Sequence, residues 1–174
     1  KLILQALSIE PNNPDALMLQ GQISTALSDF SQASKSFSRY VELQPLSGIG
    51  SVYLTESLLK EQRFDEAEKY ADSILANFPN QAFAHYVKAA VKFQGKNYKE
   101  AKSHAEQALT SNFNKPYLQL IAGISSYFLK SYEQSYVHLK PIVKYLAPAH
   151  PARKMFAVNQ LQLGLVTDLD DSIG

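Results

Sequence analysis

Side chains able to do chemistry are few and scattered. Histidines stand at His85, His104, His138 and His150, and none belongs to a His-x-x-x-His or Glu-x-x-His pair that would set two metal ligands on one helix face. His104 and His138 stand one 34-residue step apart, which admits a structural or solvent-facing role, or a shared metal or pH-sensing pair. Gly95-Lys96 lacks the earlier glycine and the following Ser or Thr of a phosphate-binding loop. Asp168, Asp170 and Asp171 lack the mid-loop glycine and closing glutamate that a calcium loop needs. Asp65, Glu66 and Lys69 read as a solvated helix face. No cysteine is present, so thiol catalysis, thiolate metal sites and disulfides are excluded. No catalytic residue, cofactor or metal is expected, and the chain reads as non-enzymatic.

Composition narrows the partners. The 174 residues are 45% apolar, ordinary for one globular domain large enough to bury a core without a staple. A net charge of +1 gives no field that would draw nucleic acid or an anionic membrane. Apolar runs are far shorter than the ~20 residues needed to span a bilayer, so no membrane insertion is expected. The chain begins at Lys1 without a leader pattern and is expected to be a piece of something longer.

The elements that position side chains announce themselves by repetition. Aromatics recur at Phe30, Phe64, Tyr98 and Tyr132, in a constant 34-residue step. A small residue follows each by three: Ala33, Ala67, Ala101 and Ser135. Pro11, Pro45 and Pro79 keep the same step, and Pro148 follows one residue late after a skipped turn at Phe113. A unit of this length holds two helices of about 13 residues that cannot bury their apolar stripes alone, so neighbours must stack. The small residue suits a close approach of two helix axes, and the proline ends the second helix. Acids such as Asp65 and Glu66 favour the first turn of a helix.

These columns resemble those of tetratricopeptide repeats over nearly the whole chain. Gly21 and Gly123 match the family's small position in the first helix, with Ala89 or Ala90 in the third unit, and Ala108 matches the small position late in the second. Thr55 replaces the glycine, and Tyr40, Ile74 and Ile142 replace the late alanine, which suggests looser or differently angled packing. The resemblance implies an all-α fold, a right-handed α-solenoid of helix hairpins with about ten helices in a single domain over 1–174. It would comprise a partial repeat at 1–13, full repeats at about 14–45, 48–79, 82–114 and 116–148, and a terminal helix at 150–163 followed by a frayed tail. In the third repeat His85, Lys88 and Lys92 share a polar stripe, so Tyr86, Ala90 and Phe93 are expected to point inward, off register. The Gly95-Lys96-Asn97 loop is expected to be one residue longer. Pro141 should kink the helix it lies in.

In such arrays the first helices line an inner wall that binds peptides or partner helices. The resemblance places Asp15, Met18, Gln22, Val52, Glu56, Leu59, Tyr117, Leu120, Ile124 and Tyr127 on this wall, with Val87 and Val91 as the choices in the off-register third unit. Aromatic side chains there would favour an apolar or aromatic ligand segment. Tyr117 and Tyr127 admit a second reading as core between repeats. The lysine, asparagine and arginine with which chaperone-binding members grip a C-terminal carboxylate are replaced by Met18, Gln22, Tyr53, Phe83 and Val87, which argues against a co-chaperone.

A narrower likeness covers residues 78–164. The stretches Ala84-His85-Tyr86-Val87-Lys88-Ala89, Tyr132-Glu133-Gln134-Ser135, His150-Pro151-Ala152-Arg153-Lys154-Met155-Phe156-Ala157 and Gln160-Leu161-Gln162-Leu163-Gly164 resemble the repeat lipoproteins of bacterial PEP-CTERM/exosortase systems. That likeness implies an exported, lipid-anchored protein associated with exopolysaccharide gene clusters. The expected function is a protein-interaction scaffold with a protein or peptide partner. The alternatives are a cytoplasmic adaptor or regulator and an accessory domain of a larger enzyme; the oligomeric state is open.

Overall fold

Pro11, Pro45 and Pro79 each stand two residues beyond the end of a helix, where a residue without an N–H can no longer continue it. A computed structural model describes residues 2–45, 47–111 and 115–165. Its helices are α1 (Leu2–Ile9), α2 (Pro14–Ala26), α3 (Phe30–Leu43), α4 (Gly48–Lys60), α5 (Phe64–Asn77), α6 (Ala82–Gln94), α7 (Tyr98–Ala108), α8 (Lys115–Phe128), α9 (Tyr132–Leu139) and α10 (Pro151–Gln162). The all-α expectation holds: the described residues form these ten helices and a short 3₁₀ turn, Val143–Tyr145, with no strand. Phe113 and the three tail aspartates lie outside the described residues.

The chain forms two compact units, Lys1–Tyr70 and Ala71–Gly174, with the boundary inside α5. In the first, α2, α3 and α4 pack on their sequence neighbours, and α2 also touches α4. In the second, α6 to α10 do the same, and α8 touches both α6 and α10. First helices thus lie beside first helices within each unit, as hairpins buried against neighbouring hairpins require.

Four hairpin turns share one geometry. Ser28, Gln62, Lys96 and Lys130 adopt φ of 58 to 60°, one in each repeat. The next residue's N–H reaches back five positions, Asp29 to the Ser24 carbonyl, Arg63 to Leu58, Asn97 to Lys92 and Ser131 to Ser126, at 2.8 to 2.9 Å. This is the Schellman closure, which satisfies the orphan carbonyls at a helix end and normally recruits glycine. Gly164, at φ 70° after α10, repeats it. Because Lys96 keeps the step, the expected extra residue in the Gly95-Lys96-Asn97 loop is absent: every turn between paired helices has three residues. The third repeat is therefore in register.

The small column packs as expected, with Ala33, Ala67, Ala101 and Ser135 fully buried. A Cβ on Gly21 would lie 2.4 Å from the Phe37 ring and one on Gly123 2.6 Å from Leu139, so helix contact demands glycine at both. The equivalent positions hold Thr55 and Ala89, also fully buried. The departures at the late-alanine column are compensated rather than loose. Tyr40 faces Gly50, where a Cβ would meet its ring at 2.5 Å. The same two columns hold Ile142 with Ala152, sharing one core cluster, and in reverse size order Ala108 with Leu118, both fully buried.

Pro141 stops its helix instead of kinking it. The α9 helix ends at Leu139, and the chain tightens through i to i+3 bonds from Ile142 to Leu139 and from Tyr145 to Ile142. A ring at this position removes the N–H that would have continued the helix.

Candidate partner-binding wall

Residues spaced three and four apart on a helix share a face, and in the first unit this places Asp15, Met18 and Gln22 on one face of α2 and Val52, Glu56 and Leu59 on one face of α4. Asp15 and Gln22 are exposed and the other four are half-buried. Leu19, Ile23 and Ile49 are exposed on the same helices. The support beneath is well packed, because the buried Phe37 ring stacks on Tyr53 at 5.1 Å. Burial pushes the Glu56 carboxyl above the usual carboxylate range, with Lys60 one turn on opposing the shift.

The second unit presents a more filled wall. In the 34-residue register the columns of Met18 and Gln22 run through Tyr86 and Ala90, not through Val87 and Val91. Accordingly Val87 has 0% of its surface exposed and Val91 8%, and neither offers a partner a handle. Ile124, also 8% exposed, belongs to the core cluster with Leu139, Ile142, Val143, Ala152 and Phe156, and Leu120 is half-buried against it. The expected polar stripe of α6 is correspondingly not a solvated face. His85 is buried, Lys88 pairs with Asp72, and Lys92 pairs with Glu100 at 3.4 Å. Tyr86 and Ala90 do point inward, as expected, and are buried, while Phe93 is half-buried.

Tyr117 and Tyr127 take both of their readings in part. Tyr117 is half-buried, meets the Tyr86 ring edge-on at 5.9 Å, and has its phenol pushed up by burial. Tyr127 contacts Phe128 and Tyr132, and Phe128 in turn stacks on Tyr98 at 4.4 Å.

The histidines are sorted by contacts that sequence spacing did not reveal. His104 does not pair with His138. Its Nδ1 lies 3.0 Å from His85 Nδ1, and His85 Nε2 lies 2.8 Å from the Pro79 carbonyl oxygen. His138 Nδ1 instead meets Gln119 Oε1 at 2.9 Å, and its Nε2 lies 3.4 Å from Glu106. Ser51 and Tyr70, hydroxyls 3.2 Å apart, hold the matching positions in the first unit. The repeated feature is thus a polar pair joining the two helices of a hairpin at a fixed spacing. Burial, the neighbouring His85 and Lys88 hold the His104 imidazole below its ordinary range. The described residues contain no group of three or more His, Asp or Glu side chains placed to hold a metal. None of their helices is long and apolar enough to cross a membrane.

A second concavity in the first unit escaped the sequence. A cleft of about 550 Å³ lies between α3 and the Arg63–Tyr70 stretch, floored by Leu54 and Leu58. Its arginines are already engaged, Arg39 with Glu42 and Arg63 with Glu66, both at 2.7 Å.

Antiparallel helix pairs with a 34-residue step, Schellman turns and buried small columns define a helical-hairpin repeat protein of the α-solenoid class. The family model for the tetratricopeptide repeat matches residues 26–82 and 55–117, together more than half of the chain. The chain belongs to the tetratricopeptide repeat family. Its fold is similar to the crystal structure of MamA protein, with a TM-score of 0.70, 12% identity, and coverage of 91% of this chain and 87% of that one. It is similar also to MamA 41-end from Desulfovibrio magneticus RS-1, with a TM-score of 0.68, 17% identity and coverage of 82% and 80%. TTC0263, a thermophilic TPR protein in Thermus thermophilus, gives a TM-score of 0.65 at 18% identity, covering 92% and 86%. At these identities the likeness shows the fold alone. No curated protein matches the chain in sequence.

Proposed function

We propose that the chain is a protein-interaction scaffold whose first unit captures a partner segment on the wall formed by α2 and α4. The observation that carries this reading is that Met18, Val52 and Leu59 stay half-buried around a half-buried Glu56, while in the second unit the Glu56 column is closed at Ala90 and Ile124 and the Val52 column at Tyr86, leaving Leu120, Phe93 and Tyr127 half-buried. Apolar side chains left at a protein's surface in one patch are what a partner covers. Binding should centre there.

The setting we favour is a bacterial exopolysaccharide or PEP-CTERM protein-sorting system, with the full protein exported and membrane-anchored. Its support is the sequence likeness over residues 78–164. A cytoplasmic adaptor and an accessory domain of an enzyme are the competing settings. The coding sequence upstream of Lys1 separates them: a signal peptide ending in a lipid-attachment cysteine supports the envelope, an adjoining catalytic domain the enzyme, and neither the adaptor.

The wall itself is tested by partner capture from extracts of the source cells. Met18→Asp with Val52→Asp should abolish capture and leave helical circular dichroism unchanged. Capture that survives the double variant contradicts the assignment, and loss of helicity would show that the two side chains are core.

A further inference from the structure

On the wall of the first unit, one carboxylate is partly withdrawn from water without a close partner. Glu56 is half-buried on α4, between Val52 one turn before it and Leu59 one turn after it, and it makes no hydrogen bond or ion pair with the described residues. Six other carboxylates do have a lysine or arginine within 4 Å: Glu42 has Arg39, Glu61 and Glu66 have Arg63, Asp72 has Lys88, Glu100 has Lys92 and Glu106 has Lys102. Asp15 on the same wall, unpaired among the described residues, is exposed, whereas Glu56 is half-buried. Lys60, one turn on, exerts only a longer-range attraction.

A carboxylate partly withdrawn from water and left unmatched raises the energy of the folded chain. A cation brought by a ligand would recover that loss in a site already partly desolvated, where an ion pair gains more than it does at an open surface. The two aliphatic neighbours matter equally, because lysine and arginine lay their methylene stems on apolar surface while the charged head reaches outward.

We infer that the wall binds a peptide segment carrying a lysine or arginine between aliphatic residues, the cation seated on Glu56 and the flanking side chains on Val52, Leu59 and Met18. This rests on the wall being the capture surface. It specifies a basic ligand, where the sequence alone favoured an aromatic or purely apolar one.

The test is selection of random peptides displayed on phage against the intact chain, followed by titration of the selected peptides. The expected consensus is one basic residue flanked by aliphatics. Glu56→Gln should weaken these peptides about tenfold, Lys60→Gln should strengthen them, and a fresh selection on Glu56→Lys should yield acidic residues at the same place. Peptides that are lost on Val52→Asp but indifferent to Glu56→Gln would overturn the basic ligand and leave the wall standing. Failure to enrich any peptide, or binding indifferent to Val52→Asp, would overturn the wall and this inference with it. Circular dichroism of each variant separates lost binding from lost structure.

Discussion

Exchanging the sizes of Tyr40 and Gly50 probes the packing rule of the array directly. A Cβ on Gly50 would stand 2.5 and 2.6 Å from two carbons of the Tyr40 ring and 3.3 Å from Val41, against the roughly 3.5 to 4.0 Å of a relaxed carbon contact. The ring cannot step aside freely, because its hydroxyl lies 3.2 Å from Ser47 Oγ, and Ser47 caps α4. Overpacking of this kind costs about 1 to 3 kcal/mol, and a leucine at Gly50 belongs at the upper end. Tyr40→Ala removes a half-buried ring and should cost about 2 kcal/mol through lost burial and the cavity it leaves. Independent losses would therefore total about 5 kcal/mol. If the pair is complementary, the double variant Tyr40→Ala with Gly50→Leu recreates the Ala108 and Leu118 arrangement. It should then lose no more than about 2 kcal/mol, a coupling of about 3 kcal/mol. Urea unfolding of the four chains measures this cycle. Losses that add to within about 0.5 kcal/mol, the behaviour of independent sites, would refute size compensation between the two columns.

Three further outcomes follow from particular contacts. Gln62→Gly or Lys130→Gly should raise stability by up to about 1 kcal/mol in thermal melts, since each side chain sits in left-handed backbone that glycine adopts without strain; a loss would mean that the side chain itself holds the turn. Ala101→Leu should cost about 1 to 3 kcal/mol, because the residue is fully buried at a helix contact, and a neutral melt would contradict that contact. His104 has a folded pKa below its unfolded one, near 6.5, so the folded chain binds fewer protons and its stability, complete above that pH, falls as pH drops through the folded value. His85→Gln, which copies the Gln119 and His138 pair, should flatten the melting-temperature drop between pH 7.5 and 5. An unchanged drop would place the acid sensitivity elsewhere.

Much of the fold was legible because it is written in size: aromatic, small and proline columns at one step named the helices and their turns. The third repeat misled because a stripe of His85, Lys88 and Lys92 resembles a solvated face. Each of these side chains instead meets a polar partner on a neighbouring helix, so polarity was conserved inside the packing. The left-handed turn residues left no compositional trace, since none of the four paired-helix turns uses glycine there. The wall was legible as a set of columns, yet whether a column is open depends on its neighbours. Met18 and Val52 remain accessible, whereas the same column at Tyr86 is closed by Tyr117 and Phe83. Nothing in the composition marked Glu56 as unmatched, because that depends on which cations the fold brings near.

The most direct test of the account is a backbone and methyl NMR titration of the full chain with a captured partner segment. The wall predicts that perturbations concentrate at Met18, Gln22, Val52, Glu56 and Leu59. Perturbations confined instead to the cleft lined by Ser34, Arg39 and Tyr70 would contradict it.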